Sequence, residues 1–115
     1  MLAALNLLDE LDGRKVAVLG DMLELGPYEK QGHELVGMRA AQVTKVLLTL
    51  GTRGHLIAEA ARRAGMKHTT ILEFEEIAPI VDWLKKNLTS NDAVLIKGSH
   101  GLRMDRITAA LEVRS

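Results

Sequence analysis

Apolar residues gather along the chain in a few short runs: Lys15–Leu19, Lys45–Leu50, Thr69–Phe74 and Ala93–Lys97. Each run is rich in Val, Ile, Leu or Thr and nearly unbroken by polar positions. A strand with one wet face alternates, whereas a continuous apolar run reads as a strand covered on both faces, as in a parallel sheet. The stretches between them have helical spacing. Leu35, Val36, Ala40 and Val43 share a face of a helix that starts near Tyr28 or Glu29. Leu56, Ile57, Ala60, Ala61 and Ala64 do the same, and Gly65 stands where a helix ends in a left-handed residue. Ile77, Ile80, Val81, Leu84 and Leu88 form a third stripe, in which Pro79 fits only within the first turn. Met104, Ile107 and Leu111, with Ala110, form the last. A helix over Leu2–Leu11 precedes the first strand. It starts without a visible N-cap, so the chain is expected to be a piece of a longer polypeptide.

The predicted order is therefore α-β-α-β-α-β-α-β-α. Strands joined through helical crossovers run parallel, with right-handed connections. The expectation is one domain, residues 1–115: a three-layer α/β/α Rossmann-like sandwich with a mostly parallel sheet. The expected strand order is 3-2-1-4, which sets strands 1 and 4 side by side where the order reverses. Ligands of such sheets bind beyond the carboxyl ends of the strands at that reversal.

Composition narrows the function classes. The 115 residues are 47% hydrophobic and 26% charged, and Lys+Arg and Asp+Glu balance at 15 each. A neutral chain without a basic run has no general grip on a phosphate backbone, so no nucleic-acid partner is expected. Aromatic residues amount to 3%, namely Trp83, Tyr28 and Phe74, too few for stacking platforms. Absence of cysteine excludes disulfides, thiolate metal sites and thiol nucleophiles. No apolar stretch approaches the roughly 18 residues of a membrane span. No membrane partner and a cytoplasmic location are expected.

The turns after strands 1 and 4 hold the unusual residues. Gly20–Gly26 carries Asp21 and Glu24, a pair able to meet Mg²⁺, a ribose hydroxyl or an amine. The plainer reading, favoured on local features, is a solvated loop in which Asp21 caps the following turn. In the second turn, Lys97 ends an otherwise apolar strand, Gly98 permits close backbone approach, and Ser99 and His100 precede a helix. Exposed N–H groups beside a lysine make an anion site. Equally, Ser99 is an N-cap and Lys97 extends to solvent. The glycines do not form a dinucleotide fingerprint, and neither a GxxxxGK[ST] phosphate loop nor a GxSxG elbow is present. His33, His55 and His68 lack metal-ligand spacing and read as surface or helix-end residues, so no metal site and no catalytic residue are assigned. Arg53, Arg62, Arg63, Arg103 and Arg106 read mostly as helix-face charges.

Two of these segments resemble a known family. Val16-Ala17-Val18-Leu19-Gly20-Asp21-Met22-Leu23-Glu24-Leu25-Gly26 is similar to the VLGDMxELG stretch of the Mur ligases. Val94-Leu95-Ile96-Lys97-Gly98-Ser99, with Met104 following, resembles their VLxKGSxxxxM motif, and Met1–Leu5 resembles the helix before the first motif. The likeness is nearest to the branch that adds D-alanyl-D-alanine, and it extends over essentially the whole chain. It implies the third, C-terminal domain of a three-domain ATP-dependent amide ligase of peptidoglycan precursor synthesis. In that enzyme the first domain holds a UDP-sugar substrate, and the central ATPase domain carries the phosphate loop and a carbamylated lysine. The third closes over the central domain. By the same resemblance, Asp21 and Glu24 face the cleft near the nucleotide, and Lys97, Gly98, Ser99 and His100 lie beside the incoming dipeptide. His100 stands where relatives often carry Arg. The linker motif with its Tyr-Asn-Ala signature would precede Met1. ATP and Mg²⁺ belong to the full enzyme. This chain alone is expected to bind neither tightly and to be inactive. The competing expectations are a free-standing small-ligand module and a folding fragment without activity.

Overall fold

The computed structural model describes residues 1–21 and 28–98. Helix α1 (Leu2–Asp9) leads into strand β1 (Arg14–Gly20). Helix α2 (Glu29–Val43) and strand β2 (Val46–Leu50) follow, then α3 (Gly54–Arg63), β3 (Ile71–Phe74), α4 (Ile77–Asn87) and β4 (Asp92–Lys97). The strands form one parallel sheet in the order β3-β2-β1-β4, as expected. The stripe from Met104 to Leu111 lies outside the described residues.

Handedness distributes the helices. The steps β1 to β2 and β2 to β3 move outward in one direction, so right-handed crossovers put α2 and α3 on the same face. The step from β3 to β4 returns past two strands, which puts α4 on the other face. The packing follows this rule. Leu5 and Leu8 of α1, Val36 and Ala40 of α2, and Ile57, Ala58 and Ala61 of α3 cover Ala17, Leu19, Leu47 and Ile71. Ile80 and Leu84 of α4 cover Val16, Val18, Val46, Leu48 and Leu50. Consecutive strand residues thus enter different cores, which explains why β2 is buried throughout and apolar except at Thr49.

Helix α3 ends as its sequence requires. Gly65 has φ +103°, its N–H donates to the Arg62 carbonyl, and the Met66 N–H donates to the Ala61 carbonyl. That pair of bonds satisfies carbonyls the helix leaves open, and Met66 packs back on the core. Pro79 falls on the third residue of α4, where no N–H is needed. Helices α2 and α3 meet at Gly37. A methyl group there would lie 2.3 Å from the Ile57 carbonyl oxygen and 2.7 Å from the Ala60 Cβ.

Some expectations are corrected. The buried stripe of α2 is His33, Val36, Gly37, Ala40 and Val43, while Leu35 is 54% exposed. Positions 33, 36, 37 and 40 have the i, i+3, i+4, i+7 spacing, and Leu35 lies about 100° from Val36. Helix α1 stops at Asp9 rather than Leu11, because the Leu11 N–H closes a tight bond to the Leu8 carbonyl. Residues His68–Thr70 form a 3₁₀ turn, so β3 starts at Ile71 rather than Thr69.

At the amino-end edge of the sheet, Arg14 grips Asp92 with two hydrogen bonds, Nε to Oδ1 at 2.9 Å and an Nη to Oδ2 at 2.8 Å. This pair and the Arg14 N–H to Asn91 carbonyl bond register β1 against β4. The register matters because it sets the turns at the opposite edge.

The double-sided burial gives a graded expectation. Leu47→Ala removes a fully buried side chain and should cost about 2–5 kcal/mol in urea unfolding. Leu7→Ala, at a side chain 66% exposed, should change stability by less than about 0.5 kcal/mol.

Candidate functional site

The reversal of strand order places the ends of β1 and β4 together. Leu19 is in register with Lys97, so Gly20 and Asp21 emerge beside Lys97 and Gly98. Lys97 is exposed at this edge. Asp21 stands beside it but is 7% exposed, and its carboxylate points sideways along the sheet rather than outward. Asp21 Oδ1 accepts hydrogen bonds from the backbone N–H groups of Arg53 at 2.8 Å and Gly54 at 3.1 Å. These belong to the first turn of α3, whose N-cap position is Arg53 and has no side-chain cap of its own. Among the described residues the acid therefore caps the helix after the neighbouring strand, while the turn that follows it in sequence lies outside them. A carboxylate suits that place, since helix N-termini carry open N–H donors and a partial positive charge.

Glycine makes room for it. Gly51 has φ +92°, and a Cβ there would lie 2.8 Å from Asp21 Oδ1. The Gly51 N–H donates to the Phe74 carbonyl at 3.0 Å, which carries the edge on to β3. Thr49, the next inward side chain of β2 on that face, is buried, and its Oγ1 has no hydrogen-bond partner among the described residues.

Arg53 completes the arrangement. Its guanidinium reaches Asp21 Oδ2 at 3.7 Å, and its Nε donates to Glu29 Oε1 at the start of α2. The hydrogen bond to Glu29, with the charges of Glu29 and Asp21, holds the guanidinium above its already high ordinary value against the opposing effect of burial.

A second charged cluster lies towards β3. His55 Nδ1 is 2.5 Å from Glu73 Oε1 and its Nε2 is 2.7 Å from Glu75 Oε1. Arg62 donates to the other Glu73 oxygen at 2.5 Å. With both ring nitrogens facing carboxylates, the imidazolium is the favoured form. The hydrogen bonds to Glu73 and Glu75 raise the His55 pKa, against burial. Burial pushes the Glu73 carboxyl up, but hydrogen bonds from His55 and Arg62 outweigh it and the net displacement is downward. Both imidazole nitrogens are thus engaged by protons. Among the described residues no group of three or more His, Asp or Glu side chains is arranged to hold a metal ion. With Asp21 committed to α3 and Arg53, the described residues do not fit a Mg²⁺ site.

The sequence-derived site residues divide as follows. Asp21, Lys97 and Gly98 are brought to one edge, while Glu24, Ser99 and His100 lie outside the described residues. His33 is not a surface residue. It is fully buried in α2, and its Nδ1 lies 2.6 Å from the Glu29 carbonyl oxygen. A carbonyl only accepts, so this assigns the proton to Nδ1. Arg53 is not a simple helix-face charge, and its pairing with Glu29 and Asp21 is not visible from sequence spacing. One signal was present: Gly51-Thr52-Arg53-Gly54 starts a helix after an apolar strand with an arginine at the N-cap, so its cap had to come from elsewhere.

The sequence matches the family described as "Mur ligase, glutamate ligase domain" over residues 1–100. The chain belongs to the Mur ligase family. Among relatives of this Mur ligase domain, the UDP-N-acetylmuramoyl-tripeptide–D-alanyl-D-alanine ligase of Bacillus subtilis (strain 168) is 33% identical over 115 residues, covering 96% of this chain and 25% of that protein. The enzyme of the same name from Escherichia coli (strain K12) is 31% identical, covering 97% and 24%. A crystal structure of MurF from Acinetobacter baumannii superposes with a TM-score of 0.75 at 25% identity, over 95% of this chain and 24% of that one. The Mur ligase domain thus spans about a quarter of the length of the curated relatives it matches.

Two outcomes are expected at this edge. Asp21→Ala should lower stability by about 1–2 kcal/mol in chemical denaturation, and Asp21→Asn, which keeps an acceptor oxygen, by less. In an NMR titration His55 should show a midpoint above the ordinary 6.5, moving down in Glu73→Gln. Because folding raises this pKa, its contribution is complete below about pH 6.5 and is lost as pH rises through the folded-state value. A wild-type protein that kept this stability into alkaline solution while His55 lost its proton would contradict the pairing.

Proposed function

We propose that this chain is the C-terminal domain of an ATP-dependent amide ligase that adds D-alanyl-D-alanine to a UDP-N-acetylmuramoyl-tripeptide. The observation that carries this reading is the register of β1 with β4. It sets Asp21 and Lys97–Gly98, which belong to the two segments resembling Mur ligase motifs, on one sheet edge. The relatives that bear this name match nearly the whole chain in the same order.

The reaction joins a carboxylate to an amine. The carboxylate is activated as an acyl phosphate at the expense of ATP. The dipeptide amine then attacks the carbonyl carbon, phosphate leaves, and a proton is lost from nitrogen. In this reading ATP, Mg²⁺ and the phosphate loop belong to a central domain, and the UDP-sugar to an N-terminal one. The third domain contributes by closing, which orients the dipeptide and keeps water from the acyl phosphate. The Lys97 ammonium, exposed at the edge, suits the carboxylate of the incoming dipeptide. Gly98 lets that group approach the backbone. Asp21 acts from behind, holding the start of α3, while Glu24, Ser99 and His100 supply the remaining contacts of the two turns.

The test is ligation by the complete enzyme that carries this domain. It should form the pentapeptide product from the tripeptide, ATP and D-alanyl-D-alanine, and the 115-residue chain alone should not. Lys97→Ala in the complete enzyme should lower kcat/KM for the dipeptide by about 10–100-fold, the loss of one charge-assisted contact. Equal activity with and without Lys97, or preference for a different amine, would contradict the assignment.

A further inference from the structure

We infer that Arg53 is a positioning residue that ties Asp21, where the first motif turn begins, to Glu29 at the start of α2, a role that rests on the functional reading above. Residues 22–27 run between Asp21 and Tyr28. Arg53 pairs with Asp21 at one end of this segment and with Glu29, just past the other end. It comes from neither end. It lies on the turn between β2 and α3, 32 positions from Asp21 and 24 from Glu29.

The arrangement differs from an ordinary surface ion pair in three ways. First, Arg53 is anchored twice, since its own backbone N–H is bound by Asp21 Oδ1 while its guanidinium reaches Oδ2. Second, Asp21 is itself fixed: its side chain is nearly buried, it is tied to Gly54, and it is packed against Gly51. Third, the planar guanidinium serves two carboxylates at once, which a lysine ammonium on a flexible stem does poorly. Glu29 is the first residue of α2, so the contact also ties the start of that helix to the start of α3. Distances between three elements at the motif edge thus converge on one side chain. The Arg53 side chain is 35% exposed, so the guanidinium keeps a face to solvent.

Two measurements test this. In the 115-residue chain, Arg53→Ala should speed amide hydrogen exchange at Glu29–His33 and Gly54–Leu56, the first turns of α2 and α3, by about tenfold or more relative to the wild type. Exchange at Val16–Leu19 should change only as far as global stability does. Unchanged exchange at Glu29–His33 and Gly54–Leu56 overturns the inference, whatever the enzyme does. In the complete ligase, Arg53→Ala should lower kcat by about tenfold. Arg53→Lys should recover only part of it. Glu29→Gln should lower kcat too, and combining it with Arg53→Ala should add little, because both act through one contact. Additive losses, or full recovery by lysine, would show a general charge effect and overturn it. A wild-type ligase that does not use D-alanyl-D-alanine would refute the functional reading, and the exchange result would still decide the role of Arg53.

Discussion

Among the described residues all the strands of the sheet point the same way, and the rest of the described fold depends on that constraint. Parallel neighbours cannot be joined by a tight turn, so each connection must carry a helix across a face of the sheet. Right-handedness then decides which face. Two outward steps put α2 and α3 together, and the long return from β3 to β4 puts α4 opposite. The return also creates the one place where strands adjacent in space are distant in sequence, β1 beside β4. Both motif-bearing strands end there, so the candidate site follows from connectivity before any side chain is considered.

Connectivity alone would leave that edge loose, because it consists of helix starts and strand ends with open backbone groups. Asp21 is the main answer. One buried carboxylate satisfies two N–H donors of α3, occupies the niche left by Gly51, and pairs with Arg53. Replacing this carboxylate would leave the Arg53 and Gly54 N–H groups without their acceptor, and an open donor away from water is costly. Asp21 thus sets where the β2–α3 turn sits, and that turn carries Arg53. At the opposite edge, the Arg14–Asp92 pair fixes the same two strands from behind.

Most of the architecture was legible in the sequence because burial on both faces leaves a plain trace. The runs around Val16, Leu47, Leu72 and Leu95 predicted the strands, and their alternation with helical stripes predicted the parallel order. Gly65 and Pro79 marked a helix end and a helix start for local reasons, and both behave as expected. The failures were of a different kind. Side-chain identity suggests a core position for Leu35 and a surface or helix-end position for His33, but phase on the helix decides: Leu35 is exposed and His33 is buried near the start of α2. The local pattern at Asp21 suggests a cap for its own turn, which lies outside the described residues. Its partners among the described residues are 32 and 33 positions away, and no local pattern announces a bond across two strands. The same holds for Arg53 with Glu29 and for His55 with Glu73. Strand order brings these partners together, so a reading of local spacing could not pair them.

The claim that the β1–β4 carboxyl edge is the working face can be tested by mapping. The isotopically labelled 115-residue chain would be mixed with the remaining part of the ligase, loaded with nucleotide and tripeptide substrate, and its backbone amide shifts followed. The account requires the changes to centre on Gly20, Asp21, Gly51–His55, Lys97 and Gly98. Changes centred instead on Gly13, Arg14, Thr44 and Asn91, at the other end of the same strands, would contradict it.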